Sequence, residues 1–215
     1  MISPHIISTD GVPPHRRFEY WADEIVPTYL PTATSSRGRD AGSFQAHMSV
    51  AGGPSCAFFR VDASTFELKY RPAMARACEL PDRYAYALAF VDGDSTDKVS
   101  QIDQGGRISQ VKAGDCMLID LRREFTATIA GGGSRLYACL SESLVDAWIA
   151  PAARRVAEHL EGTRGWCRLL SNYLGGLSAM LVENVGIERL SGRASVQIGE
   201  HLALLLSMAM DERLG

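Results

Sequence analysis

The amino-acid sequence predicts an α+β fold, in which an antiparallel β-barrel or sandwich stands between a short N-terminal helix and a C-terminal helical segment. Two observations predict it. From residue 44 to about residue 140, large apolar side chains alternate with polar or small ones, which is the period of a β-strand. After residue 141, apolar residues recur every three or four positions, as on an amphipathic helix. We therefore expect three regions, at 1–43, 44–141 and 142–215.

The first region contains the predicted N-terminal helix, in the segment PPHRRFEYWADEIV at 13–26. Its two prolines suit a first helical turn, and Pro27 is expected to end it. Its apolar face consists of Phe18, Trp21, Ala22 and Ile25. The residues that follow, 32–43, are rich in Thr, Ser, Arg and Gly, and this composition predicts a loop.

The middle region contains seven or eight predicted strands separated by turns, at the spacing typical of a sandwich or small barrel. The clearest strands are TFELKY, YAYALAF, FTATI and SRLYACL. The turn signals are DGD at 92–94, DQGG at 103–106, KAGD at 112–115 and the triple glycine at 131–133. In YAYALAF the large residues share one face and the alanines take the other.

The interior of such a barrel is lined by aromatic and aliphatic side chains, which suits the binding of a small, largely apolar molecule. In a small barrel the same side chains can instead fill the core completely. Arg60 and Arg71 lie near the strands, where an arginine either holds a carboxylate of the ligand or faces solvent. The predicted ligand-binding residues are Phe59, Arg71, Tyr86, Leu88, Phe90, Met117, Ile119 and Phe125.

The third region is predicted to be helical, with Ser141 as an N-cap and Pro151 as a break. The first long helix has an apolar stripe made of Trp166, Leu169, Leu170, Tyr173, Leu174, Leu177, Met180 and Leu181. The final helix, at 195–214, follows the connection GIERLSGRAS. These faces exceed what one barrel needs, so we expect one helix to meet a second copy of the chain. The predicted dimerisation residues are Ile198, His201, Leu202, Leu205 and Met208.

Charge and motif content argue against several functions. A net charge of −3 and a pI near 6.0 do not suit a large nucleic-acid surface. The five histidines, at 5, 15, 47, 159 and 201, all lie outside the central predicted strands, so we expect neither a metal nor a cofactor. The sequence has no GxSxG, GxGxxG or GxxxxGK[ST] motif, and no catalytic residue is predicted. We expect a protein that is not an enzyme.

The cysteines and the N-terminal residues bear on the compartment. The five cysteines are odd in number and widely spaced, without a CxxC pair, which argues against a disulfide framework. The start, MISPHIISTDG, lacks a secretion signal, and the apolar run LALLLSMAM is too short to span a bilayer. We therefore expect a soluble cytoplasmic protein without a membrane contact.

Several short motifs occur in a distinctive order: RRFEYWADEI, LKYRP, QGGRISQVKAGDCMLID, EFTATI and LYACLSESLVDAWI. In this order they resemble the N-terminal regulatory domain of AraC-type transcriptional regulators. The resemblance is to the cupin-like subgroup, whose relatives include regulators of aromatic-compound catabolism. The matching positions in the third motif are Gln104, Gly106, Arg107, Gly114, Asp115, Leu118 and Asp120. Ala113 departs from the pattern, because a proline is common there.

The resemblance implies a cupin-like barrel that senses a small aromatic or apolar effector and a helical segment that forms a homodimer. In that family DNA is bound by a separate C-terminal pair of helix-turn-helix units. No second pair of short helices with a glycine-containing turn is predicted here, so we expect that DNA-binding domain to be absent from this chain. Two alternatives stay open: a dimerisation scaffold without a ligand, and a cupin-superfamily enzyme with an unrecognised site.

Overall fold

The computed structural model describes residues 2–30, 32–36, 43–53, 55–72, 84–93, 99–131, 133–183 and 192–212. Within these residues two antiparallel sheets face each other, and helices lie at the N-terminus and after the last strand. The predicted α+β class, an antiparallel sandwich with flanking helices, is confirmed. Among the described residues, no helix has the length and apolar character needed to cross a bilayer.

Eleven strands are present in the described part of the chain, more than the seven or eight predicted. They are β1 (Ile2–Ser8), β2 (Thr32–Ser36), β3 (Ala46–Gly52), β4 (Cys56–Ala63), β5 (Phe66–Tyr70), β6 (Tyr86–Asp92), β7 (Ser100–Gln104), β8 (Arg107–Val111), β9 (Cys116–Asp120), β10 (Phe125–Ile129) and β11 (Ser134–Leu140). One sheet has six strands in the order β1-β3-β4-β11-β6-β9, and the other has five in the order β2-β5-β10-β7-β8.

Two strands lie where none was predicted. Strand β1 pairs with β3 at one edge of the six-stranded sheet. Strand β2 pairs with β5 at one edge of the five-stranded sheet, so the prediction of a loop from residue 32 was wrong for 32–36. The sequence of β2, TATSS, has little apolar character, and its strand conformation comes from hydrogen bonds to β5 rather than from a buried face.

The predicted turns join neighbouring strands where the structure describes them. In DQGG, Gly105 and Gly106 have φ of +63° and +80° and connect β7 to β8, as expected of a two-residue hairpin turn. Gly114 of KAGD, with φ of +85°, lies between β8 and β9. Residue 94 of DGD, residue 132 of the triple glycine and most of the connection GIERLSGRAS lie outside the described residues.

The N-terminal helical segment is longer and less regular than predicted. It consists of a 3₁₀ turn (Pro14–Arg16), α1 (Arg17–Glu19), a π-helical turn (Tyr20–Ile25) and α2 (Val26–Tyr29). Pro27 does not end it, because the helical backbone continues directly from the π-helical turn into α2 and runs to Tyr29. We call residues 14–29 the N-terminal helical segment.

Three further helices follow the sheets: α3 (Glu142–Trp148), α4 (Gly165–Glu183) and α5 (Gly192–Asp211). Ser141 occupies the N-cap position of α3 as predicted, although its side chain makes no capping hydrogen bond. Helix α3 ends at Trp148, three residues before Pro151. Helices α4 and α5 pack side by side against the outer face of the six-stranded sheet.

The protein has two apolar cores, one on each side of the six-stranded sheet. The first lies between the two sheets and includes Trp21 of the N-terminal helical segment. The second lies between the six-stranded sheet and helices α3, α4 and α5. The central strands of that sheet are therefore buried on both faces, which places the space between the sheets at the centre of the molecule.

Candidate functional site

A cavity of about 100 Å³ lies between the two sheets, beneath the N-terminal helical segment. Both sheets and the segment contribute to its wall. The lining residues are Trp21, Val26, Tyr29, Leu30, Met48, Phe59, Val61, Phe66, Leu68, Ala87, Ile102, Ile119, Leu121, Phe125, Ala127, Tyr137 and Cys139. Native protein cores contain few voids larger than one water molecule, so a cavity of this size is a candidate binding site.

Small side chains in the middle of the six-stranded sheet leave this space open. On β6 the residues that face the space between the sheets are Ala87, Ala89 and Val91. Ala87 pairs with Ile119 on one neighbouring strand and with Cys139 on the other, and all three line the cavity. A larger side chain at position 87 would occupy the volume that the cavity now has.

The N-terminal helical segment closes one side of the cavity with Trp21, Val26, Tyr29 and Leu30. Aromatic contacts hold the Trp21 ring, whose centroid lies 6.3 Å from that of Phe44 and 6.2 Å from that of Phe66. The ring centroids of Tyr29 and Phe59 lie 5.7 Å apart, and the Tyr29 hydroxyl hydrogen-bonds His5 of β1. This segment is a part of the wall that belongs to neither sheet.

The lining contains no charged side chain among the described residues. Burial raises the pKa of Tyr137 and the pKa of Tyr29, so both hydroxyls are neutral at physiological pH. Arg135 is buried nearby, and burial lowers the pKa of its guanidinium. It belongs to a second cavity of about 10 Å³, which shares Ile102 and Tyr137 with the first. The main cavity therefore suits a neutral, apolar guest.

Three of the predicted ligand-binding residues line the cavity: Phe59, Ile119 and Phe125. Met117 is fully buried in the same core, between the sheets, but it is not part of the cavity wall. Arg71 is exposed just after β5 and does not contribute to the wall. Whether the first three contact an effector remains a prediction.

Tyr86, Leu88 and Phe90 were assigned to the wrong face of β6. All three belong to the second core, against the helices, and the alanines between them face the cavity. Alternation alone does not tell which set points inward when both faces of a strand are buried. The prediction assumed that large residues face the barrel interior, and this assumption exchanged the two faces of β6.

The sequence-based site also missed Ala87, Tyr137 and Cys139, together with the cavity-lining residues of the N-terminal helical segment. The alternation in SRLYACL places Tyr137 and Cys139 on one face of β11, and this signal was available. The contribution of the helical segment was not, because nothing local in the sequence specifies which sheet face the segment covers.

Helices α4 and α5 present an outer surface that the rest of the described chain does not cover. Trp166, Leu169 and Met180 of α4 are 40%, 50% and 40% exposed. The Tyr173 hydroxyl lies 3.3 Å from His201 Nδ1, at the boundary between the two helices. We call Trp166, Leu169, Tyr173, Met180, Ile198, His201, Leu205 and Met208 the outer helical surface.

The predicted dimerisation face of α5 is divided by the structure. His201 is exposed, and Ile198, Leu205 and Met208 are half-buried. Leu202 is fully buried against the six-stranded sheet and cannot contact a second copy, so its assignment to that face is corrected. Both α4 and α5 cover the same sheet, so neither helix is wholly free of the barrel, and the contact of one of them with a second copy stays a prediction.

Four of the five histidines contact an aspartate or a tyrosine. His47 lies 3.5 Å from Asp10, and His159 lies 2.7 Å from Asp115. Within the described residues no group of three or more His, Cys, Asp or Glu side chains is arranged to hold a metal ion.

Comparison with known proteins identifies the fold. No family model matches this chain, and neither does any curated protein sequence. The crystal structure of the AraC-like transcriptional activator CuxR is similar, with a TM-score of 0.73 and 13% sequence identity. The similarity covers 97% of this chain and 70% of that chain.

Two other structures resemble only part of the chain. The EutQ protein of Clostridium difficile has a TM-score of 0.29 and 13% identity, and the match covers 46% of this chain and 71% of that one. An RmlC-like cupin from Shewanella frigidimarina has a TM-score of 0.30 and 15% identity, over 53% of this chain and 89% of that one. These scores are too low to carry an argument. The similarity to CuxR, in contrast, shows that the chain has the fold of that AraC-like transcriptional activator over nearly its whole length.

Proposed function

We propose that this chain is the effector-sensing and dimerisation domain of an AraC-type transcriptional regulator. One observation carries the proposal: a fold shared with an AraC-like activator encloses an apolar cavity of about 100 Å³ beneath the N-terminal helical segment. The resemblance of the sequence motifs to AraC-type regulatory domains supports the same reading. DNA would be read by a separate helix-turn-helix domain, as in that family.

The wall of the cavity suits binding better than catalysis. Its side chains offer shape and apolar contact, and its tyrosines remain neutral. The Cys139 thiol belongs to the wall but is buried among apolar groups, where a thiol behaves as a small hydrophobic side chain. We propose a container that does no chemistry on its guest.

In this proposal the three regions have different tasks. Residues 1–43 supply the movable wall, residues 44–141 the container, and residues 142–215 the dimer contact. An engineered cavity of about 150 Å³ accommodates benzene, so a ring-sized guest fits this cavity only if the wall moves outward. The N-terminal helical segment is the part of the wall with the fewest sheet hydrogen bonds. A guest that prefers the displaced segment shifts the protein toward that state.

The outer helical surface is proposed to bind a second copy of the chain. Its exposed apolar side chains on α4 adjoin the half-buried ones on α5, and α4 contacts the outer face of β6 and β11 directly. Movement of those strands on ligand binding would therefore reach the helices. A coupling of about 1–3 kcal/mol is enough to change the dimer geometry and the spacing of the attached DNA-binding domains.

A thermal-shift screen tests the sensor proposal. Neutral one-ring aromatic compounds at concentrations far above their dissociation constants should raise the melting temperature, because they bind the folded state alone. At about one hundred times the dissociation constant the stabilisation is about 2.7 kcal/mol. A screen of aromatic aldehydes, amines and acids in which no compound changes the melting temperature would favour the alternative, a dimerisation scaffold without a ligand.

A further inference from the structure

One donor in the cavity wall has no hydrogen-bond partner. The Trp21 side chain is 1% exposed, and its indole Nε1–H bonds no atom of the described residues. It is the one buried side-chain nitrogen or oxygen of the described chain in this state. Buried polar groups in native proteins are almost always paired, so this exception calls for an explanation.

The local backbone places this tryptophan at the cavity. Trp21 lies in the π-helical turn Tyr20–Ile25, and π-helical turns are rare and occur frequently at functional sites. The ring is held between Phe44 and Phe66 by aromatic contacts, without any hydrogen bond to the residues that the structure describes. The same side chain lines the cavity. Trp21 is therefore a cavity-lining residue whose indole donor is unpaired among the described residues.

The other polar groups near the cavity restrict which class of molecule could bind there. The Tyr29 hydroxyl already hydrogen-bonds His5, and Tyr137 is a neutral phenol. An ionised group in this wall would lack a counter-ion, which is costly in an apolar site. Arg135 is the one arginine or lysine that is buried among the described residues, but Ser100 and the carbonyl groups of Ala130 and Gly133 already accept its hydrogen bonds.

We propose that the Trp21 Nε1–H recognises the effector, and that the effector is a neutral, one-ring or similarly small apolar molecule with a hydrogen-bond acceptor such as a carbonyl or ether oxygen. This inference rests on the proposed sensor function and specifies its ligand class. The acceptor satisfies the unpaired Trp21 donor, and the apolar body fills the remaining volume. A carboxylate is excluded by the same wall, in contrast to the anchor predicted at Arg71.

Three probes of similar size test the inference. Toluene has no hydrogen-bond acceptor. Benzaldehyde is neutral and has one acceptor, and benzoate is ionised. Titration calorimetry measures their affinities. We expect benzaldehyde to bind about fivefold more tightly than toluene, the ratio that one net hydrogen bond supplies, and benzoate to bind more weakly than both. In Trp21→Phe the benzaldehyde preference should disappear while toluene still binds, because the apolar body of the site remains.

A second measurement uses the unmodified protein. The indole N–H resonances of Trp21, Trp148 and Trp166 are recorded in a ¹⁵N-labelled sample, and Trp21→Phe assigns the first. Benzaldehyde should move the Trp21 resonance downfield, as hydrogen bonding does, whereas toluene should not. Equal binding of benzaldehyde and toluene with no downfield movement overturns the inference and leaves the sensor function standing. Tighter binding of benzoate overturns the neutral class, and failure of all three probes to bind overturns both proposals.

Discussion

At the scale of single residues, the cavity depends on the alanines of β6. Ala87 and Ala89 face the space between the sheets, while Leu88, between them, is fully buried against the helices. The strand therefore presents its small side chains to the container and its large ones to the helical layer. The opposite arrangement would fill the container and leave a void under α4.

Filling the cavity from Ala87 should abolish binding and stabilise the protein. Ala87→Leu places a branched side chain in the empty volume, so we expect the free energy of unfolding to rise by about 0.5–2 kcal/mol and aromatic probes to lose their thermal shift. Denaturant unfolding and the thermal-shift screen measure the two effects.

Ala138→Leu is the matched control for this variant. Ala138 is fully buried on the outer face of β11 and lines neither of the two cavities described above, so the substitution should cost about 1–3 kcal/mol and leave probe binding intact. Retained probe binding in Ala87→Leu would mean that the guest site lies elsewhere.

Asp115 connects the β8–β9 turn to the chain beyond α3. Its carboxylate is 1% exposed and accepts hydrogen bonds from His159 Nε2 at 2.7 Å and from the amides of Lys112 and Gly162, each at 3.2 Å. Burial by itself raises the pKa of Asp115, but the hydrogen bonds outweigh it, and the pKa in the folded state is lowered. The carboxylate form is therefore the one that the fold stabilises.

The sign of this shift predicts an acid-dependent loss of stability. The contribution of Asp115 is present above the ordinary pKa of 3.8 and is lost as the pH falls through the lower pKa of the folded state. We expect Asp115→Asn to lower the free energy of unfolding at pH 7 by about 1–3 kcal/mol. Denaturant unfolding at pH 7 and below pH 3.8 checks this. A difference between the two proteins that does not shrink in acid would contradict it.

At the scale of elements, a polar clip joins α4 to the six-stranded sheet within an otherwise apolar contact. Ser178 of α4 is fully buried, donates its hydroxyl to Asp92 Oδ2 at 2.6 Å and accepts from Arg60 Nε at 3.1 Å. Arg60 also hydrogen-bonds Asp62 and Ser134. Because every partner lies at the ends of β4, β6 and β11, the clip fixes the position of α4 along these strands.

Removal of the hydroxyl should loosen α4. Ser178→Ala leaves Asp92 and Arg60 without a partner at the helix, so we expect a loss of about 1–3 kcal/mol and faster hydrogen exchange in the C-terminal half of α4. Ser171→Ala is a matched control, since Ser171 lies on the same helix, keeps 8% exposure to solvent and forms no side-chain hydrogen bond to the described residues. It should change stability by less than about 0.5 kcal/mol. Equal effects of the two variants would show that the clip does not hold the helix.

At the scale of the whole molecule, the outer helical surface is an apolar feature that neither core covers. Its exposed α4 residues, Trp166, Leu169 and Met180, recur at helical spacing. A face of this kind on a soluble chain commonly meets a partner. For the proposed regulator a second copy of the chain is the partner that places two DNA-binding domains on one operator.

Charge on this surface should separate the two copies. We expect Leu169→Lys combined with Met180→Lys to give the mass of a monomer in sedimentation equilibrium, at concentrations where the unaltered chain is a dimer. Ile108→Lys is the control, because Ile108 is 62% exposed on β8, away from the helices, and should leave the dimer intact. An unaltered chain that is a monomer at high concentration would refute the dimer proposal.

The sequence by itself determined the fold class and the order of the regions. The period-two pattern in FTATI and the helical period after residue 165 are local properties, and they predicted β10 and α4. The glycines of DQGG likewise specified the hairpin between β7 and β8. Phe59, Ile119 and Phe125 were placed in the cavity wall because a large side chain and the inward position coincide at these three residues.

Only the tertiary structure decided which face of β6 lines the cavity. Both faces of that strand are buried, and the alternation of large and small residues does not tell which set points inward. The tertiary structure also decided that the N-terminal helical segment forms a wall of the cavity, that β2 is a strand, and that Leu202 is covered by its own sheet. Each of these depends on contacts between residues far apart in the chain. The unpaired Trp21 indole is likewise a feature of the tertiary structure alone, since a missing hydrogen-bond partner can be seen only when all neighbouring residues are in place.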